Sequence, residues 1–557
     1  MKTYGIALVA RRRTLAVLVP LLMAGAMLGG CFPSSSSDTV VDAVPDDDGD
    51  TVTPSGSVSF GNEALDALAW GPDLQVTAFF PGYANWQWLT SVPGYTHDAR
   101  AHEAGSAHAG ASGVNSGLAC TACHGGFAPA EAELGAALVD LESDAYQKPG
   151  SKVATLNAAY DSQFFYLRVR YQSSTQSPTI THEMFRYDGT AGFLKAGGPR
   201  DFETGVIDEG DLAEGTFFNY EDRVAVMHNP SADGAAVGHA AGVSFNNQGC
   251  FIACHSTMRN QAEEVLKSGT NFDGLPFAAE SDVRHYLLAT RDTAGGMHMT
   301  TGHWDEMAPG YDRAASRTAG TFLDLWQARV ARSVPMGHAS NDYVIDYRLS
   351  GNGGTNNWFD NRPQDYAAAG QPGADGWPRW IYDPRLTGYW AIHEDALHDT
   401  HAAGEGPLRT VAYTNALSGE TFPQNAIEFE ALFEKSGAEW VLSADVQVAG
   451  GATVPAGTTA STIFQAGDLI PRRALREASG ARAGVETYWA WENGATTVVF
   501  KRHLVAQNDS DKTIDLNSGH TMGIALFDDN VSNRSHFISF PFTVGLSGTD
   551  LVAGQAN

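Results

Sequence analysis

Positive charge is scarce in this chain: 35 Lys and Arg stand against 64 Asp and Glu, a formal net charge of −29 over 557 residues. Such a surface repels phosphate backbones and anionic headgroups, so no nucleic acid is expected as a partner. Outside the N-terminus no apolar run reaches the roughly 18 residues of a membrane helix, which excludes a polytopic membrane protein. GxSxG, HExxH, P-loop and dinucleotide fingerprints are all missing, so nothing calls for a nucleophile or a general base. Cysteine is sparse, five in all. What the chain does have is 60 Gly, 24 Pro and 10% aromatics, a composition of turns and strands rather than of a coiled coil or bundle. Its length outgrows a single core, giving one large elaborated domain with extras or two to three domains.

The first thirty residues read as an address. Arg11 to Arg13 lead into the apolar run Thr14 to Leu28, and Leu28-Gly29-Gly30-Cys31 follows. This resembles a bacterial lipoprotein signal peptide, with Cys31 as the lipidated first residue of the mature chain. Residues 31–58, with four consecutive serines and the acidic run Asp46 to Asp50, have nothing to bury and are expected to form a flexible tether; a calcium loop is the other reading of that run. Phe32, where inner-membrane retention usually uses aspartate, favours the periplasmic side of the outer membrane, with the cell surface as an alternative.

The other four cysteines fall in two pairs, each followed by histidine: Cys120-Thr121-Ala122-Cys123-His124 and Cys250-Phe251-Ile252-Ala253-Cys254-His255. The first is the CxxCH pattern of c-type haem attachment. Two thiols add across the haem vinyl groups, and the adjacent histidine turns under the ring to bind iron. A thioredoxin-like redox pair or a zinc half-site are the alternatives, and no βαβ pattern supports the former. The second pair has one more residue between its cysteines, which can loop out while both thioethers form. A disulfide or a metal site shared by all four cysteines competes with it, but would leave both histidines unexplained. Two covalent c-type haems are therefore expected, with His124 and His255 as proximal ligands.

Residues 59–150 carry little strand pattern and read as a wrap around the first haem. Its distal ligand is sought there, His108 first, then His102 and His97; the run from His108 to Cys120 is similar to one common in multihaem cytochromes. From Val153 the pattern changes to strands. Val153 to Tyr160 and Phe164 to Tyr171, joined at Asp161-Ser162-Gln163, predict a hairpin; Val485 to Trp491 and Val498 to Leu504, joined at Asn493-Gly494, predict another. Further strands are expected at 440–446, 523–527 and 537–544. Hairpins without alternating helices indicate a mainly β fold, an antiparallel β-sandwich over 151–557. An insert at 205–340 is expected to carry the second haem motif, with helices near Gln261 to Lys267 and from Phe322 to Val330. Residues 350–430 read as long loops.

Several runs together resemble one family. Asn157 to Arg168, Gly249 to His255, Asp324-Leu325-Trp326-Gln327, and Gly523 to Asp528 before His536 to Pro541 are similar to the haem-binding domain of ethylbenzene dehydrogenase gamma subunits and their relatives. The resemblance implies a β-sandwich with haem at one end and electron transfer, and the CxxxCH spacing looks like that of covalent-haem members. Those subunits hold haem through methionine and lysine; here the corresponding place, Ser518 to Met522, has no lysine. His520 becomes the proposed distal ligand opposite His255, with Met522, Met258, Met336 and His338 as alternatives.

The resulting expectation is a lipid-anchored dihaem cytochrome that transfers single electrons to redox partner proteins, either periplasmic cytochromes or a membrane or molybdenum oxidoreductase. Two rivals remain. One is a haem enzyme with an open iron position, served by loops carrying His393, His398 and His401; the other is a sensory or solute-binding sandwich.

Overall fold

The computed structural model describes residue 65 and residues 68–79, 110–123, 151–173, 184–190, 192–195, 222–233, 243–252, 287–290, 292, 307–330, 332–346, 348–351, 358–361, 376–393, 412–414, 421–423, 426–475, 478–492, 494–528 and 536–556. Among these, thirteen strands make one sheet: β1 (Leu74–Phe79), β2 (Ser151–Tyr160), β3 (Phe164–Gln172), β4 (Arg223–Pro230), β5 (Leu323–Arg329), β6 (Ser340–Val344), β7 (Arg348–Ser350), β8 (Val485–Glu492), β9 (Ala495–His503), β10 (His520–Phe527), β11 (Phe537–Ser539), β12 (Phe542–Gly545) and β13 (Leu551–Gln555). Their order is β8-β9-β3-β2-β1-β11-β10-β4-β5-β6-β7, with β12 paired to β10 and β13 to β2. Every pairing is antiparallel except those of β13, which runs parallel to both β2 and β12.

Both predicted hairpins form, for local reasons. Asp161 closes the first: its carboxylate accepts the Gln163 and Phe164 N–H groups at 2.7 Å and the Tyr166 hydroxyl at 2.8 Å, an Asx turn that fixes the β2–β3 register. Phe165, Leu167 and Val169 alternate into the core while Arg168 lies over the Trp70 ring on the other face.

The sheet folds over on itself to enclose its apolar side. Trp326 on β5 and Phe500 on β9 are far apart in strand order, yet their rings meet at 6.0 Å. A seam continues the closure: Ala339 N–H donates to the Val485 carbonyl and Thr487 N–H to that of Gly337, at 3.0 and 2.8 Å. Leu156, Leu167, Val226, Trp326, Phe500 and Ile524 fill the interior. A second apolar core lies outside this one. Four short strands, Ile392–His393, Asp468–Pro471, Met184–Tyr187 and Phe193–Lys195, form its sheet, and Phe429 stacks on Phe433 at 4.4 Å within it.

Several expectations are corrected. Leu323–Arg329 is a strand, not part of a helix from Phe322 to Val330: all seven residues are buried, so neither face is wet and the spacing that suggested a helix carries no information. The stretch 205–340 is not simply an insert, because β4 and β5 are central strands of the main sheet. Residues 59–150 are not all haem wrap, since β1 pairs with β2 and β11. The expected strand at 537–544 is two strands broken at Phe540 and Pro541, and that at 440–446 is divided into Glu439–Leu442 and Val446–Gln447. Part of 350–430, expected as loops, contributes to the second core. The helix near Gln261 to Lys267 falls outside the described residues.

Candidate cofactor site

Two short segments meet on the outer face of the sheet. The first begins with helix α1 (Ala111–Asn115), which stops at Gly117 with φ +83°: Leu118 N–H reaches the Gly113 carbonyl at 2.9 Å and Gly117 N–H that of Val114 at 3.0 Å. This Schellman ending turns the chain into a further helical turn, α2 (Cys120–Cys123). A separation of three residues on a helical turn puts both thiols on one side. Cys120 is half-buried against apolar side chains and Cys123 is exposed. Burial pushes the Cys120 thiol up to about 12, with the neighbouring Cys123 adding to the effect.

The second segment is α3 (Phe245–Gln248) followed by a 3-10 turn over Gly249–Ile252. Gly249 has φ +58°, and a side chain there would meet the Pro541 ring at 2.9 Å, so the bend into Cys250 requires glycine. Cys250 is 4% exposed and lies over β10 at Gly523, where a Cβ would come within 3.1 Å of its sulfur. Around it Phe79, Phe245, Phe251, Met227, Phe527 and Phe540 form one apolar cluster, and Cys120 packs on that same cluster.

Two amide side chains join the segments. Asn247 Nδ2 donates to the Gly117 carbonyl and Gln248 Nε2 to the Leu118 carbonyl, each at 2.8 Å. Sequence reasoning missed both residues; the only signal was their place immediately before Gly249-Cys250.

On the opposite face of β10 lies a buried polar chain, also missed. His228 Nδ1 and His520 Nε2 are 2.6 Å apart, and His228 Nε2 is 3.3 Å from Asp324 on the neighbouring strand, directly across in register. Arg502 contacts both Asp324 and Asp511 at 3.1 Å, and Lys512 N–H donates to Asp324. Burial lowers the pKa of both imidazoles, that of His520 strongly and with help from His228 and Arg502. Burial acts to raise the Asp324 carboxyl, but His228 and Arg502 overcome it and hold it below the ordinary range.

This geometry bears on the distal ligand. Met522, Ile524 and Leu526 point into the interior, as does His520, whereas Gly523, Ala525 and Phe527 face the cluster around Cys250. His520 and Met522 are therefore turned away from Cys250, and His520 already engages His228. Met336 and His338 sit by the seam, where His338 bridges Glu486, outside the cluster around Cys250. His393 lies on a short strand of the second core, its Nε2 3.3 Å from the Ala466 carbonyl. Cys31, His97, His102, His108, His124, Cys254, His255, Met258, His398 and His401 lie outside the described residues.

The ethylbenzene dehydrogenase family model matches residues 132–377 and 401–539. The chain belongs to that family. No curated protein matches it. The match spans most of the sheet, including β4, β5 and β10, which carry the outer apolar face. It is a molybdoenzyme-related family, and membership is consistent with a redox role for this chain. The described part of the first segment is chemically compatible with thioether attachment of a haem: α2 carries two cysteines three residues apart, and Cys120 packs on a buried apolar cluster. Cys250 belongs to that same cluster.

Proposed function

We propose that this chain is an exported, lipid-anchored dihaem c-type cytochrome of the ethylbenzene dehydrogenase family, passing single electrons between redox partner proteins on the periplasmic side of the outer membrane. The observation that carries the reading is that Cys120, at the head of a CxxCH turn, and Cys250, at the head of a CxxxCH segment, are seated on one apolar cluster. Haem bound there supplies a ferric/ferrous one-electron couple. The chain's own contribution is to hold and to insulate. Cys120 and Cys123 anchor from one helical turn, and Phe79, Phe251 and Phe540 keep water from the attachment face. Burial disfavours a charged thiolate at Cys120, and a thioether, which carries no charge, is compatible with the same apolar seat. His124 and His255 follow each motif as proximal ligands, and His108 is the distal candidate for the first iron, ahead of His102 and His97.

The test counts haems. Intact mass and haem staining of the mature protein should give two covalent porphyrins, and Cys120→Ala and Cys250→Ala should each remove one. A wild-type protein with fewer than two overturns the reading. The inward turn of His520 and Met522 gives some weight to the alternative, a haem enzyme with one open iron position. Low-spin bands from both haems select electron transfer; a persistent high-spin band selects catalysis.

A further inference from the structure

Gln248 is 1% exposed and uses both ends of its amide. Its Oε1 accepts the Ser244 N–H at 2.8 Å, tying it to the start of its own helix, and its Nε2 donates to the Leu118 carbonyl at 2.8 Å, two residues before Cys120. Asn247 repeats the second contact one residue along, to Gly117. A buried amide is costly unless both of its ends are satisfied, so each of these bonds matters to where the side chain sits. The partners are segments about 130 residues apart in sequence, each leading within two or three residues into a haem-motif cysteine. The carbonyls they occupy lie in the turn that closes α1 and opens α2, so moving either segment moves both cysteines. Leaving both segments on one apolar cluster would allow them to slide; two parallel hydrogen bonds fix their register.

We propose that Gln248 and Asn247 are positioning residues that lock the two haem segments into a single unit, so that the two haems form a directly coupled pair exchanging electrons with each other, rather than two independent centres. This rests on the dihaem reading above and goes beyond it by assigning the two amides a role: by fixing the segments that lead into Cys120 and Cys250, they would hold two attached haems close enough for direct one-electron exchange. Partners would then need to reach only one of the two.

Gln248→Glu separates the clamp from ordinary structural support. The carboxylate can still accept the Ser244 N–H, but it cannot donate to the Leu118 carbonyl and repels it. Gln248→Leu loses both bonds. Intact mass is read first, and fewer than two haems in the wild type would count against the dihaem reading itself. With two haems present, electron paramagnetic resonance is recorded on the fully oxidised and the one-electron-reduced full-length protein. The wild type should show a ferric signal broadened by its neighbour that sharpens when that neighbour is reduced. Gln248→Glu and Gln248→Leu should retain two haems and lose this dependence. A wild-type signal indifferent to the oxidation state of the other haem overturns the proposal, as does a Gln248→Glu protein with the full wild-type interaction.

Discussion

His228 and His520 show how much one residue's meaning depends on its face of a strand. At the end of β10, His520 is separated from the Cys250 side by nothing more than the alternation of the strand, and that alternation delivers it into the interior. Two imidazoles 2.6 Å apart cannot both carry a proton without repulsion, and burial already disfavours the charged form of each. The groups facing the pair are Asp324, Arg502, Asp511 and Lys512; Asp324 draws a proton towards His228, while the cations oppose it. Since both folded pKa values lie below the unfolded value near 6.5, the unfolded chain binds more protons on acidification. Stability is therefore complete above about pH 6.5 and falls below it, by up to about 1.4 kcal/mol per pH unit for each histidine. Urea midpoints between pH 7.5 and 5.5 should show this decline, and His520→Gln should flatten it; an unchanged slope would refute the account.

Among the elements, β10 has the most demanding position, since it separates the interior, with its buried His520–His228–Asp324 chain, from the face that seats Cys250, with Gly523 at the crossing. A methyl group there would stand 3.1 Å from the Cys250 sulfur and 4.0 Å from the Phe245 ring. Gly523→Ala is expected to cost about 1–3 kcal/mol through overpacking. It should also lower the yield of the second covalent haem by lifting Cys250 from its seat, while leaving the first intact. A thermal melt together with haem counting checks both effects. The element scale also shows where reading from sequence succeeds. The hairpins β2–β3 and β8–β9 were readable because each has one buried face and a turn with its own chemistry, such as Asp161 and its three hydrogen bonds. Strand β5 was not, because Asp324, Trp326 and Ala328 are as buried as Leu323, Leu325 and Gln327, and a strand without a wet face loses its period of two.

For the whole molecule, the governing quantity is the net charge of −29. A surface of one sign steers small ions and partner proteins by charge, and salt screens that steering over about 8–10 Å. Reaction of the reduced protein with a cationic one-electron oxidant should slow as ionic strength rises, and reaction with an anionic one should quicken. Stopped-flow rates across a salt series decide this, and equal dependence on both would show that charge does not guide docking.

Local pairing was within reach of the sequence alone, because a hairpin is specified by residues next to one another; the contiguous CxxCH and CxxxCH patterns are what motivate the proposed haem attachment. The tertiary structure decided what depends on distant segments sharing a surface. It turned His520 inward towards His228, made 323–329 a buried strand, and set Gln248 against the Leu118 carbonyl across about 130 residues of chain. Neither a histidine's spacing nor a glutamine's identity encodes the far partner that the folded sheet supplies, because that partner is fixed by closure of the whole sheet rather than by the residues on either side.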